Sequence, residues 1–153
     1  MYFRADKRQF EVGDLITSAG EFACLNPAGS EEVESIFESA RPLDKPSRIG
    51  SLFLFKDEMA AKKHWSKMSN GNLYLATIEG GSAIFEGDMR LIDEAFLIRS
   101  DAAEVRSIAV RYWNGELTKS PIVEVLVSAA RIASVISKDQ EERRAFLKSW
   151  ALA

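Results

Sequence analysis

The sequence predicts an α+β fold. Three observations carry the prediction. Apolar runs of strand length, such as SLFLF and IVEVLVS, alternate irregularly with segments of helical period; the chain finishes on two successive strands and a polar helix; and no repeat or long linker interrupts it. At 153 residues, 46% of them hydrophobic, the chain has the size of one domain with a sizeable core. Residues 1–153 are therefore read as a single domain, with 138–153 as a C-terminal helix.

MYFRAD opens as a short strand that ends where charges begin, and RQFEVGDLITS reads as a loop around a Val-Gly-Asp turn. After the loop FACLNPAGS, Ser30 is placed to cap a helix over SEEVESIFESA, whose first-turn acids suit the helix dipole. Pro42 and Pro46 close that helix. SLFLF, residues 51–55, has the continuous apolar character of a central strand. Asp57 then caps a helix through EMAAKKHWSKM, with Trp65 and Met68 facing the core, and SNGN turns the chain into the strand NLYLATIE. SAIFEGDMRLID reads as a short strand running into an acidic loop or helix start. DAAEVRSIAVRYW is the clearest amphipathic helix, with Ala102, Val105, Ile108, Ala109 and Tyr112 at helical spacing. The strands IVEVLVS and ARIASVIS and a helix from about Asp139 to Trp150 complete the chain.

Composition excludes several chemistries. Twenty basic against 23 acidic residues leave a net charge of −3 with no block of five like charges, which disfavours a simple nucleic-acid backbone binder and leaves Lys56, Lys62, Lys63 and Lys67 as the one local basic patch. Cys24 is the only cysteine and His64 the only histidine, so disulfide frameworks, cysteine-based zinc sites and most catalytic Cys/His arrangements are excluded. MYFRADKRQF is too polar for a signal peptide and no apolar run approaches the roughly 18 residues of a membrane span, so a cytoplasmic protein with no membrane partner and no metal is expected.

Glu124, in PIVEVLV, is the residue its neighbours do not explain: an ionised carboxylate within an apolar strand is costly to bury alone. With Arg4 on the first strand and Ser51 at the start of a middle strand, it forms an Arg, Ser, Glu order. That order, and the form Glu124-Val125-Leu126-Val127 followed by a second strand, resembles the Arg-Ser-Glu branch of the ADP-ribosyltransferases. The order FRADKRQFEVGDLI, SLFLFKDEMAAKKHW, NLYLATIEGGSAIFEGD is similar to the small bacterial rifampin ADP-ribosyltransferases. It also resembles a related bacterial domain family of unknown function in which a Tyr-Trp-plus-Gly segment precedes a Glu-Val-Leu strand; together these likenesses span roughly 1–137.

The resemblance implies mixed β-sheets forming a split central core with flanking helices. It further implies NAD as substrate and transfer of ADP-ribose to a protein, nucleic-acid or small-molecule acceptor. Such a protein would act as a bacterial toxin or defence factor, with an antitoxin or immunity partner. Cleaving the nicotinamide–ribose bond develops oxocarbenium charge, which a carboxylate stabilises, and the resemblance gives that role to Glu124. Asp88 matches an acidic loop position that orients the acceptor or the ribose charge. Arg4 grips phosphate, Ser51 positions the ribose or Glu124, and Phe53, Phe55 or Tyr74 walls the nicotinamide. Ile122 stands where arginine-modifying enzymes carry a second acid or amide, so arginine is not the expected acceptor. A catalytically inactive ligand- or protein-binding module on the same scaffold is the alternative. Each residue also has a plain role: Arg4 in an ion pair, Ser51 in a turn, Asp88 and Asp93 as turn and cap residues, and Glu124 on a solvated face. His64 and Trp113 read as packing residues, and Arg48 is the additional arginine placed next to a motif.

Overall fold

The apolar runs pair into one seven-stranded sheet. The computed structural model describes residues 1–19 and 30–151; Cys24 and most of the loop FACLNPAGS lie outside the described residues. In chain order the elements are β1 (Tyr2–Asp6), β2 (Leu15–Thr17), α1 (Ser30–Ala40), β3 (Leu52–Phe55), α2 (Glu58–Lys67) and β4 (Asn72–Ile78). They continue with β5 (Ile84–Asp88), α3 (Met89–Leu97), α4 (Ala102–Trp113), β6 (Val123–Val127), β7 (Ala129–Ser137) and α5 (Gln140–Ala151). The spatial order is β2-β7-β4-β1-β3-β6-β5.

All six neighbouring strand pairs run antiparallel, which corrects the expectation of mixed sheets: strand direction alternates across the sheet, so no parallel β-α-β crossover forms among the described residues. The sheet is divided unevenly in its pairing. β1 and β3 share one register pair, Phe3↔Phe55, which joins the four strands on the β2 side to the three on the β5 side. β6 and β7, one residue apart at Ser128, lie in different parts of the sheet and are not neighbours. The segment read as a loop around Val-Gly-Asp contains β2, a three-residue edge strand paired only to β7 and too short to show a period.

Alternation along β3 explains its unbroken apolar sequence. Leu52 and Leu54 enter a cluster with Val125 and Val127 of β6, Tyr74 and Ala76 of β4, Ile132 of β7 and Ile16 of β2, which ties the two parts of the sheet together. Phe53 points the other way, into a cluster with Phe85, Leu126 and residues of α1, α3 and α4. Phe55 packs with Ala61 and Trp65 of α2, Ala5 and Leu73, with Phe146 of α5 alongside. A strand buried on both faces has no polar side to show. Each of these large apolar side chains contributes about 1.5–3 kcal/mol by leaving water.

The helices start where their caps predict. The Asp57 carboxylate accepts from the Ala60 amide at 2.7 Å, Asp101 from Glu104 at 3.2 Å, and Asp139 from Glu141 at 2.8 Å. Ser30 is the first residue of α1 itself. α3 occupies the stretch read as an acidic loop or helix start, because MRLIDEAFL buries Leu91 and Ala95 on one face while its acids face outward. No helix among the described residues is long and apolar enough to cross a membrane.

Candidate functional site

Glu124 lies beneath the helices, and it is not alone. The ladder puts Phe55 and Gly87 directly beside it on β3 and β5, and residues opposite one another in a ladder share a face. Its side chain therefore rises into the space under α1 and α4, where it is 2% exposed. Gly87 is what leaves room there: a Cβ at that position would sit 2.4 Å from the Tyr112 ring, so only glycine lets Tyr112 lie against the sheet and reach the acid.

Glu124 Oε1 accepts a hydrogen bond from the Tyr112 hydroxyl at 2.6 Å and a charged one from Arg48 Nη1. Arg48 also donates from Nη1 to the Tyr112 oxygen at 2.7 Å, and its Nε and Nη2 bind the two oxygens of Glu34 at 2.8 and 3.0 Å. The guanidinium stacks over Phe53, 4.9 Å from the ring centroid, and lies 5.3 Å from that of Tyr112. One cation thus binds two carboxylates and a phenol, with all four side chains buried. Burial pushes the Glu124 carboxyl above its ordinary value against the pull of Arg48 and Tyr112. It likewise opposes the charge on Arg48, but Glu124, Tyr112 and Glu34 outweigh it and hold the guanidinium well above its ordinary value.

Three chain segments build this centre. α1 supplies Glu34 from its buried face, beside Val33 and Phe37; the connection after Pro46 supplies Arg48; and the last turn of α4 supplies Tyr112. In the sequence Arg48 stands next to a motif, but nothing local joins it to Glu124, 76 residues away. The usable signals were the acid's own need for a cation and the placement of Glu34 one residue after Val33 on an amphipathic helix.

The other candidates fall elsewhere. Arg4 pairs with Tyr74 in the ladder and so shares the opposite face of the sheet from Phe3, Phe55 and Glu124. Its Nε and Nη2 bind Asp6 at 3.0 and 2.7 Å, and its Nη1 binds the Phe53 carbonyl at 3.0 Å. Asp6 is held in turn by Arg8; burial raises its carboxyl, yet the two arginines outweigh it and keep it below the usual range. Ser51 donates to the Ser47 carbonyl at 2.6 Å, which is turn chemistry. Phe53, Phe55 and Tyr74 are all core residues; the Tyr74 hydroxyl is engaged by the backbone of Arg8 and Phe10. Trp113 donates to the Phe37 carbonyl from within the core.

Asp88 caps α3, accepting from the Arg90 amide at 2.9 Å, and fastens the approach to β6 through the Thr118 amide and hydroxyl and the Ile122 amide. Burial raises its carboxyl, but these hydrogen bonds outweigh it and hold the group below its ordinary value. Asp88→Ala is expected to cost about 2 kcal/mol, from a lost cap and unpaired buried amides, read as a lower urea midpoint. The depressed carboxyl stabilises the fold above its unfolded value near pH 4, and that contribution is lost as pH falls through the folded one.

The fold and this centre define an α+β domain with a buried arginine–carboxylate cluster between its sheet and the helices α1 and α4. Residues 19–142 match a family described as "Protein of unknown function (DUF2441)", and the chain belongs to that family. No curated protein matches it.

Proposed function

We propose that this chain is a catalytically inactive ligand- or protein-binding module on an ADP-ribosyltransferase-like scaffold. The observation that carries the reading is the state of Glu124: 2% exposed, with Oε1 already taken by Arg48 and Tyr112. An acid that stabilises a ribosyl cation must present a free face to the substrate. Here the cation in front of the carboxylate belongs to the chain itself. The division of the antiparallel sheet into four and three strands at Phe3↔Phe55 supports the scaffold comparison.

A second reading keeps NAD as substrate and the chain as a mono-ADP-ribosyltransferase. One observation favours it: Arg4 binds the carbonyl of Phe53 while Phe55 pairs with Glu124, so the arginine and the acid named by resemblance meet the same strand two residues apart. It requires Arg48 to leave Glu124, and Arg4, on the opposite face of the sheet and bound to Asp6, to reach the same substrate. Incubating the protein with NAD and, separately, protein, RNA and small-molecule acceptors distinguishes the two readings. The binding-module reading expects no nicotinamide release in any mixture; release by the wild type that Glu124→Gln abolishes would establish the transferase instead.

A further inference from the structure

A cavity of about 240 Å³ opens between α1 and α3. Its walls are apolar, formed by Val33 of α1 and by Ile92, Phe96 and Leu97 of α3. Its polar lining comes from Ser30, Glu34 and Asp93, with no lysine or arginine among the lining residues. Glu34 makes the cavity a neighbour of the buried centre, because the same side chain holds Arg48 through both of its oxygens. The charge there does not balance. Among the described residues Arg48 is the one cation paired with Glu34 and Glu124, and its Nε, Nη1 and Nη2 are all engaged. Asp93 adds a further carboxylate, which forms no ion pair or hydrogen bond among the described residues. Arg90, three residues before it, donates to the Ser120 carbonyl at 3.2 Å instead. Desolvation pushes the Asp93 carboxyl above its ordinary value, against the pull of Arg90 and Lys67.

An apolar cavity with surplus negative charge at its polar groups is complementary to a cation with an apolar body. The body leaves water against the walls, and an ammonium brings three donors to the carboxylates. A carboxylate oxygen keeps an acceptor site after binding one donor, so Glu34 can take another without releasing Arg48. An anion would meet two carboxylates and no free cation, and a neutral apolar molecule would leave the surplus charge uncompensated. The volume lies below the roughly 300 Å³ at which drug-sized sites begin, which suits one ring with a short chain and excludes a dinucleotide. We propose that the α1–α3 cavity binds a small primary amine with an apolar body, its ammonium directed to Glu34 and Asp93. This names the ligand class of the binding-module reading and rests on it.

Titrating the full chain with phenethylamine, while following backbone amide shifts by NMR, tests the proposal. Saturable shifts centred on Val33, Ile92 and Phe96 are expected, with a dissociation constant on the order of 1 mM for so small a ligand. Phenethyl alcohol, which keeps the ring and lacks the charge, should bind at least about tenfold more weakly. Asp93 and Leu97 are the two exposed lining residues, so both can be changed with the fold intact, as unchanged circular dichroism will verify. Asp93→Asn should weaken the amine at least about fivefold and leave the alcohol unaffected, and Leu97→Arg, which sets a cation at the rim, should remove amine binding. No saturable shift, shifts centred away from the cavity, equal affinity for amine and alcohol, or an amine affinity unchanged by Asp93→Asn would each overturn the proposal. Nicotinamide release is read in a separate assay, so failure of the binding-module reading is distinguished from failure of this site.

Discussion

Arg48→Met is expected to lower stability by about 4 kcal/mol at neutral pH, the largest single-residue effect anticipated from this site. Methionine approximates the volume of the side chain but removes the charge that Glu34 and Glu124 share, leaving two carboxylates and a phenol in a space closed to water. Removing one partner of a buried ion pair costs about 3–5 kcal/mol because the remaining charge is uncompensated. The gap between variant and wild type should narrow as the solution is acidified. Glu124, whose carboxyl burial already pushes up, then takes a proton and ceases to need a cation. A raised folded-state value favours the fold below the unfolded value and loses that contribution as pH rises. Urea titrations of wild type and variant at pH 5 and pH 7 measure both effects.

Acidification of the wild type should act in the opposite direction through His64. The imidazole packs against the Phe55 ring with centroids 5.2 Å apart, and burial, reinforced by Arg4 and Lys67, lowers its value from 6.5 to about 4. Between those two values the unfolded chain accepts a proton that the folded chain refuses. Stability is therefore fully retained above pH 6.5 and declines as pH falls toward 4, by a total on the order of 3 kcal/mol. His64→Gln removes the titrating group and leaves the other ionisable groups in place. The variant's stability should be nearly flat over that window where the wild type's falls; parallel curves would show that His64 does not carry the dependence.

Much of the fold is legible in the sequence because it is written in local periods. SLFLF is apolar throughout because β3 is buried on both faces, and DAAEVRSIAVRYW shows its stripe because α4 is buried on one. What escapes is set by distant contacts. β2 is fixed by three register pairs with β7, more than a hundred residues later, and has no internal signal. The direction of each strand depends on its neighbour, so antiparallel pairing throughout was not visible in any one segment.

The site was half legible for the same reason. Glu124 announces itself, because an acid between Val123 and Val125 is anomalous wherever the strand is buried. Its partners do not: Arg48 resembles any arginine before a turn, and Tyr112 any aromatic residue at a helix end. Strand parity decides more than motif order here. Arg4 and Glu124 fit one sequence pattern, yet the Phe3↔Phe55↔Glu124 row puts them on opposite faces of the sheet.

The central claim is that Glu124 serves the fold as the counter-ion of Arg48. A double-mutant cycle tests it most directly, by comparing Arg48→Met, Glu124→Leu and the double variant in urea unfolding. The account predicts that the double variant is more stable than Arg48→Met alone, recovering about 2 kcal/mol because only Glu34, and no longer both carboxylates, is left without its cation. Losses that simply add, with no coupling between the two positions, would contradict it.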